Sequence, residues 1–496
     1  MHYLACDLGA ESGRLMLGSL EDNRLSLEEL HRFPNVPIED AVGRHWNVEA
    51  LFAELQTGLA LAGQLGLPIA SISVDAWGLD YFLLDETGAV MEPTFCYRDS
   101  RNQRGIDRTL DTLPWETLYE ETGIQFMQIN SLFQMAAESP ERIERMRMFL
   151  PLGDGFNYLL SGVAKAEISL ASTTQLYNPR TRNWSDKLLD AFDWPRSKFP
   201  ELIPSGTRLG TLKPELAAAS GLGEIEVLAT CSHDTGAAVA AVPAAGDQWA
   251  YLSSGTWSLI GVELPGPIIN DSARELNFTN EIGHGNTVRL LRNIIGLWLV
   301  QECRREWAED GKEYDYSTLT QLATEAIPFA ALIDPSDERF FKPESMTTAI
   351  TEFCRETSQT APTSPGALIR CALESLALLY RQRLNEVSAL SGRTIRQLHI
   401  VGGGSRNALL NQFTANACEV EVIAGPAEAT ALGNIILQSL TLGHLPDLAT
   451  ARQCVRDSMD VETFQPADAR EWQQASVRFK AIQAQRDKKV APTRTC

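Results

Sequence analysis

Asp234 lies in the run Cys231-Ser232-His233-Asp234-Thr235-Gly236, after the mainly apolar residues 225–229 and before a stretch of small residues. A strand ending there would put His233, Asp234 and Thr235 at its carboxyl end, the edge at which α/β sheets bind ligands. A carboxylate so placed can accept the proton of an attacking hydroxyl, as in phosphoryl-transfer catalytic loops. The plainer alternative is a helix N-cap, the commoner fate of Asp or Thr before a small-residue helix. His233 could instead serve a serine nucleophile, but no G-x-S-x-G elbow is present. The H-E-x-x-H zinc signature is absent too. Asp234 is the stronger candidate base.

Two glycine-bearing turns could hold the group that such a base would help transfer. The first is Asp7-Leu8-Gly9-Ala10-Glu11-Ser12-Gly13-Arg14. Gly9 and Gly13 would let backbone N–H groups approach an anion without a Cβ in the way. Ser12 adds a hydroxyl, Arg14 a permanent charge, and Asp7 a carboxylate able to hold a hydrated Mg²⁺. The second is Ser253-Ser254-Gly255-Thr256, where one glycine sits among three hydroxyls. Either alone could be a plain hairpin. Facing each other across a cleft, they could hold a triphosphate.

A glycine triplet, Gly402-Gly403-Gly404, follows the mainly apolar residues 398–401. It fails as a dinucleotide fingerprint: Asn407 stands where the third glycine belongs, and residues 421–424 run into Gly425-Pro426 without an acid. Its expected use is flat backbone for a purine, with Ser405 or Asn407 capping the next helix. Val74-Asp75-Ala76-Trp77-Gly78-Leu79-Asp80 and Tyr97-Arg98-Asp99-Ser100-Arg101 combine aromatic faces with charged partners, as carbohydrate sites require. A buried salt-bridged corner is an equal reading of the second. Asn293 stands in a run read as helical, either as a core amide or reaching the cleft. On that reading Gln301, eight residues on, lies about two turns further along a similar face.

These residues need an α/β frame. Strands are expected at residues 71–75, 225–229, 397–401 and 421–424, and a long amphipathic helix at 367–388. The two turns are flanked by strands at 3–6 and 14–20, and again at 249–252 and 257–262. This echo, half a chain apart, suggests two related halves. The expected division is 1–243 and 244–483, with a polar tail at 484–496. A chain of 496 residues suits two such domains.

The net charge of −21 argues against nucleic acid or anionic membrane as partners. It also means that anionic ATP would need Mg²⁺ and amide dipoles. No leader pattern and no apolar run of about 18–20 residues is present, so a cytoplasmic location is expected. The nine cysteines form no C-x-x-C pair, and reduced thiols are expected, although Cys354 and Cys371 could pair if the fold brings them together.

With these residues in view, the chain resembles the FGGY family of carbohydrate kinases from Asp7 to about Asn434. The likeness rests on D-L-G-A-E-S-G-R (7–14), V-D-A-W-G-L-D (74–80), Y-R-D-S-R (97–101), S-H-D-T (232–235), Y-L-S-S-G-T-W-S-L (251–259), N-I-I-G-L-W (293–298), H-I-V-G-G-G (399–404) and G-P-A-E-A-T-A-L-G-N (425–434). The A-W-G-L-D and N-I-I-G-L-W wording is closer to the family's L-rhamnulose branch than to its xylulose, glycerol or fuculose branches. The resemblance implies an actin-like ATPase fold, two ribonuclease-H-like domains that close around a cleft. It implies transfer of the ATP γ-phosphoryl group to O1 of L-rhamnulose, with Mg²⁺ as cofactor and Asp234 as general base. Gly78, His233, Asp234, Thr235 and Asn293 match the family's sugar contacts. Ala10, Glu11, Ser12, Gly13, Arg14, Thr256, Gln301 and Gly403 match its ATP contacts. A monomer is the simplest expectation. The rivals are a kinase of another ketose and an actin- or Hsp70-like ATPase, which would give Trp77 and Asn293 no role.

Overall fold

Strand β1 (His2–Leu8) has no solvent face: Tyr3 through Cys6 are fully buried. Such a run suits a strand covered on both sides. It pairs antiparallel with β2 (Ser12–Glu21), which pairs antiparallel with β3 (Arg24–Pro34). On its other side β1 runs parallel to β4 (Ile69–Ala76). The edge strand β5 (Thr207–Thr211) is antiparallel to β6 (Glu226–Ala229), and β6 is parallel to β4. The order is β5-β6-β4-β1-β2-β3. Three antiparallel strands followed by parallel ones are the ribonuclease-H-like arrangement expected.

The structure is a computed structural model that describes residues 1–490, with side chains through Arg486. It divides into two compact units. Unit 1 comprises Met1–Pro243, Glu263–Leu291 and Glu428–Met459, and unit 2 comprises Ala244–Val262, Arg292–Ala427 and the chain from Asp460 onward. The first break falls at Pro243, but two later segments return to unit 1. The packing of the helix Ala429–Thr441 explains one return. A Cβ on Gly433 would sit 1.8 Å from the Ala237 carbonyl oxygen, so only glycine lets this helix lie against Asp234–Ala240. Gln438 Nε2 then donates to the Leu4 carbonyl at 2.8 Å, and its Oε1 accepts from Ser71 Oγ at 2.6 Å.

In the second sheet, β7 (Trp249–Ser254) and β8 (Trp257–Leu264) form the second hairpin, with β9 (Val288–Ile295) beside β8. Parallel to β7 runs β10 (Gln397–Val401), and parallel to that β11 (Glu421–Ala424). The antiparallel strand β12 (Glu462–Phe464) follows. The order β9-β8-β7-β10-β11 repeats β3-β2-β1-β4-β6, so the sequence echo is an echo of topology.

Three expectations change. The long helix spans Pro365–Ser391; residues 368–380 are buried on every face rather than amphipathic, with the internal pair Arg370–Glu374 at 2.7 Å, and the last turns keep one buried side. Asn293 lies on β9, not on a helix, because Gly296 ends the strand and the helix begins only at Trp298. The helical spacing between Asn293 and Gln301 therefore does not exist. The helix Ala469–Val490 runs into the segment expected as a tail, and Cys496 lies outside the described residues. Among the described residues eight cysteines are free; Cys354 and Cys371 are neighbouring thiols joined by a hydrogen bond. No helix among these residues is long and apolar enough to cross a membrane.

Candidate active site

The parallel strands of unit 1 deliver their carboxyl ends to one place. Ala76 N donates to the Ser232 carbonyl at 2.9 Å, and Trp77 N to the Leu8 carbonyl at 3.1 Å. Asp234 begins the helix Asp234–Ala240, and the residue at its N-cap is His233, not Asp234 or Thr235. His233 Nδ1 stands 2.7 Å from Asp234 Oδ1. Thr235 donates to the same oxygen from its amide and, at 3.1 Å, from its hydroxyl. Every contact of this carboxylate with the described residues falls on Oδ1, and its side chain keeps 30% of its exposure. Oδ2 therefore retains lone pairs for an incoming proton.

On the other side of the ring, His233 Nε2 stands 3.5 Å from Glu281 Oε2. Glu281 is paired at 3.2 Å with the wholly buried Arg289. Burial alone would lower the His233 pKa and raise that of Asp234. The charge and hydrogen bond between them reverse both shifts, helped by Glu281 on His233 and Thr235 on Asp234. The result is an ionised carboxylate beside a histidine that favours its proton.

Gly78 lies against this pair. A Cβ there would meet Thr173 Oγ1 at 3.4 Å and His233 Nε2 at 3.6 Å. The next residue, Leu79, has φ +83°, a left-handed conformation that costs a bulky side chain about 1–3 kcal/mol. Its carbonyl is held by Ser131 Oγ and by Gln134 Nε2 at 3.2 Å. Asp80 is buried and serves the aromatic residues: Trp77 Nε1 donates to Oδ2 at 2.8 Å and Trp46 Nε1 at 2.6 Å. Burial raises its pKa to about 7 against these hydrogen bonds. Trp46 and Trp77 meet with ring centres 4.7 Å apart. In the second carbohydrate candidate Arg101 pairs with buried Glu138 at 2.9 Å, Tyr97 and Asp99 are buried, and Arg98 and Ser100 are exposed.

At the first hairpin, Gly9 N donates to the Ser12 carbonyl at 3.0 Å, and Asn35 grips both sides through Glu11 O and Gly9 O. Gly13 is glycine for a packing reason, because a Cβ would lie 2.3 Å from the Phe33 ring. Arg14 is held by two carboxylates, Asp7 at 2.7 Å and Glu428. Burial raises the Asp7 pKa, Arg14 opposes it, and Asp234 and Glu428 add to it. Asp75 is raised by burial and by Asp7 and Asp234; its Oδ2 accepts from Asn434 at 2.6 Å, while its Oδ1 is buried without a partner. No group of three or more metal-ligating side chains occurs among the described residues. One or two carboxylates with a water shell is a set that suits Mg²⁺ rather than zinc. Asp7, with other acids near, fits that description.

In unit 2 the second tip turns its carbonyls inward. Gly255 O accepts from Leu297 N at 2.9 Å, and Thr256 O accepts from Gly296 N at 3.0 Å and Trp298 N at 3.2 Å. The tip thereby caps the helix Trp298–Glu309, which carries Gln301. A Cβ on Gly296 would lie 2.5 Å from Ser258 Oγ. The glycine triplet wraps Ser254: a Cβ on Gly402 would lie 2.9 Å from its carbonyl oxygen, and one on Gly404 2.1 Å from its Oγ. Gly403 alone is exposed and open, with nothing within 4 Å. Asn407 caps the helix Ala408–Cys418 by accepting from Leu410 N at 3.0 Å. The structure thus groups Asp7, Gly78, His233, Asp234 and Thr235 in unit 1. It groups Thr256, Gln301 and Gly403 on neighbouring elements of unit 2, with Asn293 on β9 beside β8.

Models of the FGGY family of carbohydrate kinases match both parts of the chain, the N-terminal domain over residues 2–241 and the C-terminal domain over 250–442. The chain belongs to the FGGY family of carbohydrate kinases. This FGGY kinase is 43% identical over 488 residues to a rhamnulokinase of Bacteroides thetaiotaomicron, covering 97% of this chain and 99% of that one. It is 41% identical over 466 residues to a rhamnulokinase of Enterococcus faecalis, covering 93% and 94%. Among solved structures it is similar to a xylulose kinase from Lactobacillus acidophilus, with TM-score 0.79, 14% identity and 97% and 98% coverage. A Plasmodium falciparum glycerol kinase with ADP gives TM-score 0.75 at 14% identity, covering 100% of this chain and 98% of that one. At that identity the likeness is one of fold, the two-domain actin-like ATPase type.

Sequence reasoning about this FGGY kinase missed Glu281, Arg289, Asp154 and Glu167. Each is an ionisable residue whose burial only the tertiary structure reveals. Asp154 leaves only the trace of a lone acid in a largely apolar run, and the other three leave no local signal.

Proposed function

We propose that this FGGY kinase transfers the γ-phosphoryl group of ATP to O1 of L-rhamnulose, giving L-rhamnulose 1-phosphate and ADP. The observation that carries the chemistry is Asp234, with Oδ1 pinned by His233 and Thr235 and Oδ2 left to accept the O1 proton. Phosphoryl transfer asks chiefly for positioning and charge neutralisation. Gly78, His233, Thr235 and Asn293 are assigned to the sugar, with the paired indoles of Trp46 and Trp77 forming an apolar wall near Gly78. Ala10, Glu11, Ser12, Gly13, Arg14, Thr256, Gln301 and Gly403 are assigned to ATP, with the purine over the open face of Gly403. In this scheme Asp7, where Arg14 opposes the burial that raises the carboxyl pKa, would hold Mg²⁺, and the ion would supply charge neutralisation for the transferring phosphoryl group. The enzyme acts as a cytoplasmic monomer, where reduced thiols and ATP are supplied.

A panel of L-rhamnulose, L-fuculose and D-xylulose, read by ADP release and by the carbon that acquires phosphate, tests the assignment. The expected result is the highest kcat/KM for L-rhamnulose, with phosphate on O1. Preference for another ketose would overturn the sugar, and ATP hydrolysis indifferent to every sugar would overturn the kinase.

A further inference from the structure

Behind the base lies a buried polar network that the chemistry above does not use. Glu167 is wholly buried, between the short strand Ala166–Glu167 and the helix Ile168–Thr173 that it caps. Its Oε2 accepts from Ser232 N at 3.0 Å, from Ser169 N at 3.0 Å, and from Ser169 Oγ. Ser169 Oγ in turn accepts from His233 N at 3.2 Å. The two peptide N–H groups immediately before Asp234 are thus both tied to one carboxyl group, one directly and one through a serine. Asp154, also buried, braces the arrangement: Oδ1 accepts from Ser232 Oγ at 2.8 Å, and Oδ2 from Glu167 N at 3.1 Å. The carbonyl side of the loop is already committed to Ala76 N.

Two carboxyl groups side by side in an apolar interior are costly, and burial raises both pKa values, that of Glu167 to about 7. An all-apolar filling would be cheaper if the only requirement were a stable core. What the network supplies is direction. The chain from 231 to 233 must meet the helix Asp234–Ala240 at one angle, and a shift of about 1 Å at a base can cost about 10²-fold in rate. A single acceptor oxygen serving Ser232 N and, through Ser169, His233 N leaves little freedom for such a shift.

We infer that Glu167, acting through Ser169, is a positioning residue for Asp234: it fixes the peptide groups that set where the base presents its free oxygen. The inference rests on the assignment of Asp234 as base. It requires Glu167 to be a hydrogen-bond acceptor, and an amide oxygen can serve as well as a carboxylate.

The test compares Glu167→Ala, Glu167→Gln, Ser169→Ala and Asp234→Asn, with kcat expressed per folded molecule. Glu167→Ala should lower kcat by about 10–100-fold while KM for sugar and for ATP stays within about threefold. Glu167→Gln should restore kcat to within about threefold of wild type. Ser169→Ala, which keeps the Ser232 bond, should lower kcat by about 3–10-fold and carries the test if Glu167→Ala does not fold. Wild-type kcat in folded Glu167→Ala or Ser169→Ala overturns the inference, as does a Gln variant no better than Ala. Full turnover in Asp234→Asn instead overturns the base assignment on which it rests, so the two failures are distinct.

Discussion

At the tip between β1 and β2 the chain is tied by charge. Arg14 lies between Asp7 and Glu428, and Asp234 and Glu428 add to the burial that raises the Asp7 pKa. At the tip between β7 and β8 the ties are neutral. The carbonyls of Gly255 and Thr256 accept from the amides that begin the helix Trp298–Glu309, and Ser254 sits against the glycine triplet. The two tips occupy equivalent places in sheets of the same order. A hairpin joining the first two strands of this sheet fixes where a turn is presented but leaves its chemistry open.

Removing the guanidinium should separate the two tips most sharply. Arg14→Ala leaves Asp7 and Glu428 facing each other uncompensated. A loss of about 2–4 kcal/mol in urea unfolding is expected, tempered by the partial exposure of Glu428. Unchanged stability would show that the first tip is not tied by charge. In the second tip the tie is steric. Gly404→Ala, with its Cβ driven onto Ser254 Oγ, should cost about 1–3 kcal/mol and raise KM for ATP. Gly403→Ala should shift stability by less than about 0.5 kcal/mol, since its Cβ meets nothing, while still raising KM for ATP. Equal stability losses at 403 and 404 would erase the distinction between the open glycine and the packed one.

The smallest effect is a pH slope. The His233 pKa is raised above its ordinary 6.5, so its contribution to stability is complete below that value and fades as pH climbs through the raised value. Asp234, with its pKa lowered below 3.8, contributes above that value and loses its contribution only as pH falls through the lowered one. Thermal unfolding followed upward from pH 6.5 should show a Tm decline that His233→Gln flattens. A decline of equal slope in both proteins would show that the pair is not coupled.

Much of this was legible in the sequence where a local pattern has one physical meaning. Glycine-bearing turns between apolar runs marked both hairpins, and a strand running into Ser232-His233-Asp234-Thr235 marked the strand-to-helix junction that carries Asp234. The expected residues 397–401 and 421–424 are the strands found. The pattern failed where two meanings compete. Asn293-Ile294-Ile295 is too short for its period to separate strand from helix, and Gly296 ends a strand rather than interrupting a helix. Gly13 read as room for an anion, and its glycine is required by Phe33, a cross-strand neighbour twenty residues away. Glu167 and Glu281 were silent because their partners, Ser232 and His233, are brought to them only by the fold.

The most direct measurement is turnover of Asp234→Asn alongside calorimetric binding of L-rhamnulose and of MgATP. The account predicts a fall in kcat of about 10²-fold or more, with both dissociation constants within about threefold of wild type. Turnover near wild type, or a loss explained entirely by failure to bind either substrate, would contradict it.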